Sequence, residues 1–372
     1  MTTAELLAEP LEDSKRREGG GFGRLLAATN GEIVLFGAGR LGRKVASVLA
    51  SVGKPPVAFA DNNQALQGTK IDGIKVFHPR EAAAEWGSKS LFIITIFLPN
   101  SGIQFRYSEL VALSCKHVTD FLTVGWRYPG ILPHFAADLP SRILMHREGI
   151  LRIDGLWHDA TSREVFRQQL SWRLRASFVE IAPPVADQYF PADIIKPSLD
   201  DTFVDGGAFD GDTLRCAPWR FKRIIAVEPD PVNSKRLLAE AGTGLTLHKV
   251  LLGDCPGRAW FEASGTMASA RSDRGTIEIP VATLDELLRN EKPSFIKLDI
   301  EGDELQALRG SRETLLREQP ILAVCVYHRP SDLWEIPLWA HEVLPNHRLF
   351  LRAHRNDGFE LVVYAVPIGR CA

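Results

Sequence analysis

Two glycine-rich loops, each directly after a run of apolar residues, constrain the fold of this 372-residue chain more than any other feature. The first is Gly37-Ala-Gly39-Arg-Leu-Gly42, which follows the apolar run Ile33–Phe36 and precedes residues with helical apolar spacing. The second is Asp205-Gly-Gly-Ala-Phe-Asp-Gly211, which follows Phe203 and Val204. A glycine turn between a strand and a helix is typical of parallel α/β sheets, which bind ligands at the carboxyl ends of their strands. The chain is therefore predicted to contain two Rossmann-like α/β units.

The wider pattern divides the chain into four segments. Residues 1–30 are polar, charged and glycine-rich near their end, so we expect a flexible leader. Residues 31–127 alternate short apolar strands with helical patterns and form the first α/β unit. Residues 128–199 open with several prolines and are predicted to be a mostly helical connecting region. Residues 200–372 are predicted to form the second α/β unit, with a seven-stranded sheet.

Three local elements follow from sequence patterns within these segments. Thr161–Glu164 has the pattern of a capping box and predicts the start of a helix. Gly310 is expected to break the helix predicted over residues 303–318. Two late apolar strands flank Asn356–Gly358, which predicts an antiparallel hairpin at one sheet edge. The helix that starts at Thr161 carries an apolar stripe formed by Phe166, Leu170, Leu174 and Phe178.

Composition excludes several classes of function. The formal net charge of −2 gives no basic surface that would favour nucleic acid. No apolar run approaches the roughly 20 residues that a membrane-spanning helix needs. The five cysteines are scattered singly, without a CxxC pair, which supports neither a disulfide framework nor a zinc site. We therefore expect a soluble cytoplasmic protein.

The first glycine loop has the surroundings of a nucleotide site. It opens a helix whose N-terminus can attract a phosphate, and Asp61 ends the next strand, where a carboxylate can hold a ribose diol. The stretches Val57–Asn62 and Gly68–Val76 resemble the small domain of sugar-modifying enzymes, which implies a nucleotide sugar or NAD as ligand. An empty scaffold is the equal alternative, and no Tyr-x-x-x-Lys or Cys/His pair for hydride transfer is evident. The candidate residues are Gly37, Gly39, Gly42 and Asp61.

The second glycine loop differs in its chemistry. It lacks the lysine and hydroxyl residue of a phosphate loop, and Asp205 would repel a phosphate but suits the ammonium and sulfonium of S-adenosylmethionine (SAM). Glu228 ends the next strand and can accept both ribose hydroxyls, although it could instead cap the helix before Asn233. Asp254 could accept a bond from the adenine amino group or act only as a turn residue. The predicted SAM-binding residues are Asp205, Gly206, Gly207, Ala208, Gly211, Glu228 and Asp254.

Several ordered blocks make the C-terminal segment similar to the FkbM-type methyltransferases. The blocks are Phe203–Thr213, Val227–Asp230, Val281–Asp285 and Phe295–Gly310, with Asp159–Arg163 and Gln188–Phe190 resembling an upstream segment of longer members. The resemblance implies the seven-stranded SAM-binding fold and, usually, O-methylation of a sugar or polyketide hydroxyl. One departure is Phe209, which stands where many methyltransferases have glycine.

Methyl transfer to an alcohol requires an aligned acceptor and a group that takes its proton. Asp299 and Glu301 lie at the end of a predicted strand and on the same face, because side chains alternate along a strand. We select Asp299 first and Glu301 second for a role at the acceptor. His328 ends the following strand, where it is either a general base or a structural residue. A divalent metal on the two carboxylates is the less favoured alternative, because spacing fixes no further ligand, and no metal is predicted.

The sequence therefore predicts a SAM-dependent O-methyltransferase that acts on a hydroxylated small molecule, such as a sugar-like or secondary-metabolite substrate. The N-terminal domain would bind a nucleotide moiety or help form a homo-oligomer. One alternative is a bifunctional protein whose first domain is an NAD-dependent oxidoreductase. Another is a non-catalytic sensor of nucleotide ligands, which the intact acids at positions 205, 228 and 299 disfavour.

Overall fold

The chain forms two compact units. A computed structural model describes residues 1–96, 103–130, 132, 138–176, 184–240, 244–266, 269–273, 275–355 and 358–372. One unit comprises residues 1–148 with the described parts of 166–183 and 355–358. The other comprises residues 149–165, the described part of 184–354, and 359–372. No helix in these described ranges is both long enough and apolar enough to cross a membrane.

The first 148 residues supply the sheet of the first unit. Its strands follow the order β3-β4-β2-β1-β5-β6, and all pairs are parallel except β3 with β4. All four residues of the central strand β1 are buried, which explains the uninterrupted apolar run in the sequence. The elements are α1 (Thr3–Leu6), α2 (Leu11–Ala27), β1 (Ile33–Phe36), α3 (Arg40–Ser51), β2 (Ala58–Ala60), β3 (Lys70–Ile71), β4 (Ile74–Phe77), α4 (Pro79–Trp86), β5 (Leu91–Ile94), α5 (Ile103–Ala112), β6 (His117–Asp120), α6 (Leu122–Arg127) and α7 (Pro140–Met145).

Residues 11–27 form the helix α2, where the sequence suggested a flexible leader. Phe22 and Leu26 are buried in the hydrophobic core of this unit. Glu18 is also buried and accepts a hydrogen bond of 2.9 Å from the Ser141 hydroxyl. Glycines lower the intrinsic helix propensity of this stretch, but tertiary contacts outweigh a preference of about 1 kcal/mol per glycine. Such contacts are not visible in a local pattern.

The region 128–199 contributes alternating pieces to both units. Its helices are α8 (Arg147–Asp154) and α9 (Ala160–Arg175). The capping box expected at Thr161 is replaced by Asp159, whose carboxylate accepts the Ser162 backbone N–H at 2.8 Å and the Ser162 hydroxyl at 2.5 Å. The predicted apolar stripe is buried at Phe166, Leu170 and Leu174, whereas Phe178 lies outside the described residues.

Arg352, which is 1% exposed, ties two parts of this region to the second unit. Its guanidinium donates hydrogen bonds of 2.6 Å to Asp159 and 2.7 Å to Asp193. It also donates a bond of 3.0 Å to the Ser162 hydroxyl. A buried cation requires such partners, and a bidentate guanidinium can satisfy two carboxylates at once. Asp159 and Ser162 are therefore anchored to the second unit through Arg352.

Residues from 200 onward supply two sheets of the second unit. The elements are β7 (Thr202–Gly206), α10 (Asp212–Cys216), β8 (Arg223–Val227), α11 (Pro231–Glu240), β9 (Leu245–His248), β10 (Leu251–Leu252), β11 (Gly257–Glu262), β12 (Ala270–Arg271), β13 (Ile277–Ala282), α12 (Leu284–Leu287), β14 (Phe295–Leu298), α13 (Glu304–Arg309), α14 (Arg312–Glu318), β15 (Ile321–Cys325), α15 (Asp332–Val343), β16 (His347–Ala353), β17 (Leu361–Pro367) and the short 3-10 helix Ile368–Arg370.

The larger sheet has seven strands in the order β16-β17-β15-β14-β7-β8-β9. Strand β17 pairs antiparallel with β15 and β16, and the other pairs are parallel. The predicted seven-stranded sheet with an antiparallel edge hairpin is thus confirmed. The predicted break at Gly310 is also confirmed, because α13 ends at Arg309 and α14 begins at Arg312.

A second sheet, with strand order β10-β13-β11-β12, was not predicted. Residues 245–252 are divided between the two sheets, as β9 and β10. Strands β11 and β13 bury only alternate residues, so their apolar signal is half that of a central strand. Short half-buried strands of this kind are difficult to distinguish from loops.

Candidate active site

The loop after β7 requires glycine at two positions. Gly207 has φ of +77°, and a Cβ there would lie 1.8 Å from the backbone oxygen of Asp299. Gly211 has φ of +90° and precedes the first residue of α10. Phe209 also lies in the left-handed region, with φ of +46°. This region favours glycine, which is the residue that many methyltransferases have at this position. The loop thus passes directly against the end of β14, where any side chain at position 207 would collide with the backbone.

Glu228 joins this loop to the end of β8. Its carboxylate accepts the backbone N–H of Phe209 through one oxygen and that of Asp230 through the other, both at 2.8 Å. Each carboxylate oxygen has two acceptor positions, so each retains one. The alternative role predicted for Glu228 was to cap the following helix. Asp230 takes this role instead, because its carboxylate accepts the Asn233 N–H at 3.2 Å. Burial raises the pKa of Glu228 to about 7.

Beneath the loop lies a buried ion pair between Asp205 and Lys297. The two side chains are 0% and 2% exposed, and Lys297 Nζ lies 3.0 Å from Asp205 Oδ1. The same ammonium donates a hydrogen bond of 2.7 Å to the carbonyl oxygen of Gly207. Burial opposes the charge on Lys297, but Asp205 and Asp299 outweigh it and raise the pKa of the ammonium. Asp205 therefore shapes the loop through Lys297, and its direct contact with a cofactor stays a prediction.

The three residues predicted to act at the acceptor lie together. His328 Nε2 is 3.5 Å from Asp299 Oδ1 and 3.8 Å from Glu301 Oε2. Although burial works against its charge, Lys297 and His328 lower the pKa of Asp299. Burial raises the pKa of Glu301 to about 7.

His328 carries a proton near neutral pH. Burial favours its neutral form, but Glu304, Asp299 and Glu301 outweigh this and raise the pKa of the imidazole to about 10. A protonated ring donates hydrogen bonds and cannot accept a proton. The general-base role predicted for His328 therefore finds no support in these electrostatics, whereas Glu301 titrates near neutral pH.

Sequence reasoning missed two side chains that orient this group. The Tyr189 hydroxyl donates a 2.7 Å hydrogen bond to Asp299 Oδ2. Glu304 is fully buried and lies 2.8 Å from His328 Nδ1. A buried carboxylate requires a partner, and the only early signal was the high density of acids after β14.

The remaining predicted residues of the second unit differ in position. Gly206, which ends β7, and Ala208 in the loop are both buried, and a Cβ at Gly206 would lie 2.8 Å from Leu298 Cδ2. Asp254 follows β10 and is exposed. Its carboxylate raises the pKa of the neighbouring Cys255 thiol through a hydrogen bond. The adenine-binding role of Asp254 stays a prediction.

The first glycine loop, which lies in the first unit, has the same arrangement as the loop after β7 with Glu228. Gly37 has φ of +117°, and a Cβ at Gly42 would lie 1.9 Å from the carbonyl oxygen of Gly37. Gly39 immediately precedes α3. The Asp61 carboxylate accepts the Ala38 N–H at 2.7 Å through one oxygen, and the N–H of the residue two positions later at 2.8 Å through the other. This is the same pair of bonds that Glu228 makes in the second unit.

A seven-stranded sheet in this order, with a glycine loop after β7, defines the Rossmann-like methyltransferase fold. Residues 205–361 match the family model of the methyltransferase FkbM domain. No curated protein matches the chain.

Solved structures extend the comparison of the fold. Methyltransferase FkbM from Methylobacillus flagellatus KT is 20% identical, covers 95% of this chain and 99% of its own, and has a TM-score of 0.75. UDP-D-quinovosamine 4-dehydrogenase from Vibrio fischeri is 21% identical over 25% of this chain and 84% of its own, with a TM-score of 0.22. Aeropyrum pernix fibrillarin with bound S-adenosyl-L-methionine is 14% identical over 55% of this chain and 76% of its own, with a TM-score of 0.27. The first likeness shows the fold, and the other two scores are too low to carry an argument.

Proposed function

We propose that the second unit transfers a methyl group from SAM to a hydroxyl of a small molecule, such as a sugar-like or secondary-metabolite substrate. The observation that supports this proposal is the position of the Glu228 carboxylate. Its buried carboxylate is fixed by two backbone N–H groups and retains an open acceptor position on each oxygen, beside a loop that requires glycine. A ribose diol offers two donors at matching spacing. The family match supports methyl transfer, and the choice of an oxygen acceptor follows from the resemblance to FkbM-type enzymes.

Asp299 and Glu301, which follow β14, are the residues proposed to act on the methyl acceptor. SAM provides a methyl group on a sulfonium that an oxygen atom can attack. Asp299, held by Tyr189, would accept a hydrogen bond from a neighbouring hydroxyl of the acceptor and fix the orientation of the molecule. Glu301 would take the hydroxyl proton, because the pKa of its carboxyl is about 7 and matches neutral conditions. The protonated His328 would hold both carboxylates in place.

SAM affinity is expected to fall with decreasing pH. The ribose bonds require the charged form of Glu228, and burial places the pKa of this group at about 7. Above pH 7 the carboxylate is ionised and binding is strongest. Well below pH 7, affinity should fall by up to about tenfold per pH unit, because one proton must leave before SAM binds. Calorimetric titration with SAM between about pH 8 and pH 6 would measure this, and a flat profile that matches Glu228→Gln would contradict the role of Glu228.

We propose as a second function that the first unit binds a nucleotide moiety, as in NAD or a nucleotide sugar. The observation that favours it is Asp61, whose carboxylate repeats the two backbone hydrogen bonds of Glu228 beside a glycine loop. Each oxygen of this carboxylate retains an acceptor position that can receive one hydroxyl of a ribose diol.

Titration of the full chain with NAD and with UDP-glucose tests this second function. We expect one of the two to bind, and Asp61→Asn to weaken that binding at least about tenfold, because the amide offers one acceptor atom instead of two. The matched control is Asp72→Asn at an exposed aspartate of the same unit, which should bind as the wild type does. If the folded chain binds neither compound, the first unit is a scaffold.

We also place the protein in a reducing compartment such as the cytoplasm. The five cysteines are free, and Cys115, Cys325 and Cys371 are buried singly. Free buried thiols are typical of proteins that fold under reducing conditions. The net charge of −2 agrees with a small-molecule substrate rather than a nucleic acid.

A further inference from the structure

One imidazole nitrogen faces several carboxylates at the carboxyl ends of β14 and β15. His328 Nε2 lies 3.5 Å from Asp299 Oδ1 and 3.8 Å from Glu301 Oε2. Ligand atoms of Asp299, Glu304 and His328 also lie within 4.8 Å of one another. Ligand atoms around a cation with bonds of about 2.1 Å are separated by about 3 to 4 Å, and the two distances from His328 Nε2 to the carboxylates of Asp299 and Glu301 fall in this range.

The nitrogen that faces the carboxylates is buried and unsatisfied. The side chain of His328 is 7% exposed, and Nε2 has no hydrogen-bond partner among the residues that the structure describes. Glu304 is fully buried, and its Oε2 also has no hydrogen-bond partner among the described residues. Buried polar atoms are normally paired, so an unpaired nitrogen directed at two carboxylates indicates a position for a ligand.

The imidazole is already oriented for that ligand. Glu304 Oε1 lies 2.8 Å from His328 Nδ1 and also accepts the backbone N–H groups of Ile300 at 2.9 Å and Gly302 at 3.3 Å. A proton on Nδ1 shared with Glu304 leaves the lone pair of Nε2 directed at Asp299 and Glu301. A carboxylate behind a histidine in this way is the usual outer partner of a metal-binding imidazole.

We propose that Asp299, Glu301 and His328 bind one divalent cation of the Mg²⁺ or Mn²⁺ class, with Glu304 orienting the imidazole. Two carboxylates favour these hard cations, and the imidazole favours Mn²⁺ within the class. The cation replaces the proton on Nε2. Three protein ligands leave coordination positions open.

The substrate class follows if the proposed methyl transfer is correct, and this step rests on that function. Open positions on the cation would take the acceptor hydroxyl and a neighbouring oxygen, so the preferred acceptor carries two adjacent oxygens, as a vicinal diol does. Coordination withdraws charge from the hydroxyl oxygen and eases loss of its proton. Glu301 can bind the cation through one oxygen and accept that proton through the other.

Titration of the chelator-treated full chain with MnCl₂, followed by electron paramagnetic resonance, tests the site. We expect one Mn²⁺ per chain and a nitrogen coupling from His328 in the pulsed spectrum. Glu301→Gln should weaken Mn²⁺ binding by about tenfold or more. Asp303→Asn is the matched control, because it removes one charge from the same segment at a residue that instead pairs with Arg329 at 2.9 Å.

SAM binding measured on the same samples separates the two proposals. A folded chain that binds SAM but shows no bound Mn²⁺, or bound Mn²⁺ without nitrogen coupling, overturns the cation site alone. If Asp303→Asn weakens Mn²⁺ binding as much as Glu301→Gln does, the effect reflects general surface charge. This result would also overturn the cation site. Bound Mn²⁺ with nitrogen coupling and no SAM binding would uphold the cation site and overturn the methyltransferase function.

Discussion

Replacing Glu228 with alanine should weaken SAM binding by about 100-fold or more. The variant loses two charge-assisted hydrogen bonds to the ribose, each worth about 1.5 to 3 kcal/mol, and every 1.4 kcal/mol corresponds to about tenfold in affinity. It also releases the backbone N–H groups of Phe209 and Asp230, which hold the glycine loop against the end of β8. Calorimetric titration with SAM and with S-adenosylhomocysteine measures the loss.

The matched control is Glu262→Ala, which makes the same substitution at an exposed glutamate at the end of β11. It should bind SAM as tightly as the wild type. Circular dichroism establishes whether each variant is folded before titration. Wild-type affinity in folded Glu228→Ala would show that the ribose is bound elsewhere and would remove the observation on which the methyltransferase proposal depends.

Replacing Lys297 with methionine is expected to lower the free energy of unfolding by about 3 to 5 kcal/mol, because Asp205 then loses its ionic partner in the core and must either stay unpaired or bind a proton. Both side chains are almost fully buried, and the ammonium also holds the carbonyl of Gly207. Urea denaturation followed by fluorescence and circular dichroism measures the change. SAM binding should also weaken, since the glycine loop loses its anchor.

Two further variants isolate the buried charge as the cause. Lys222→Met removes an exposed ion pair with Asp200, in which the side chains are 68% and 88% exposed, and should cost under about 1 kcal/mol. The double variant Asp205→Asn with Lys297→Met leaves no buried charge and should recover part of the lost stability. If the double variant is no more stable than Lys297→Met alone, the charges are not coupled as proposed.

Local patterns predicted the two α/β units because their signals lie within short stretches of chain. The run Ile33–Phe36 is apolar at every residue, as expected of a strand buried on both faces. Gly207 and Gly211 adopt positive φ, which few other residues tolerate, so their spacing already marked the turn. The break at Gly310 and the antiparallel hairpin formed by β16 and β17 were visible for the same reason.

Other features depend on partners that are distant in sequence. Helix α2 is stable because Phe22 and Leu26 reach the core, and its glycines alone suggested a flexible leader. The region 128–199 was treated as one connecting segment, because nothing in its sequence shows that Asp159 and Asp193 meet Arg352. The four-stranded sheet was missed because its strands bury only alternate residues.

The candidate site shows where sequence information ends. Sequence by itself determined the residue types and their order: glycines after β7, a carboxylate after β8, and acids and a histidine after β14 and β15. Only the tertiary structure decided their chemical states. Lys297, His328 and a hydrogen bond from Tyr189 lower the pKa of Asp299 against the effect of its burial. Burial raises the pKa of Glu301, and the carboxylates of Glu304, Asp299 and Glu301 keep His328 protonated. A pKa depends on distances of a few ångströms between groups far apart in the chain, and those distances exist only after folding.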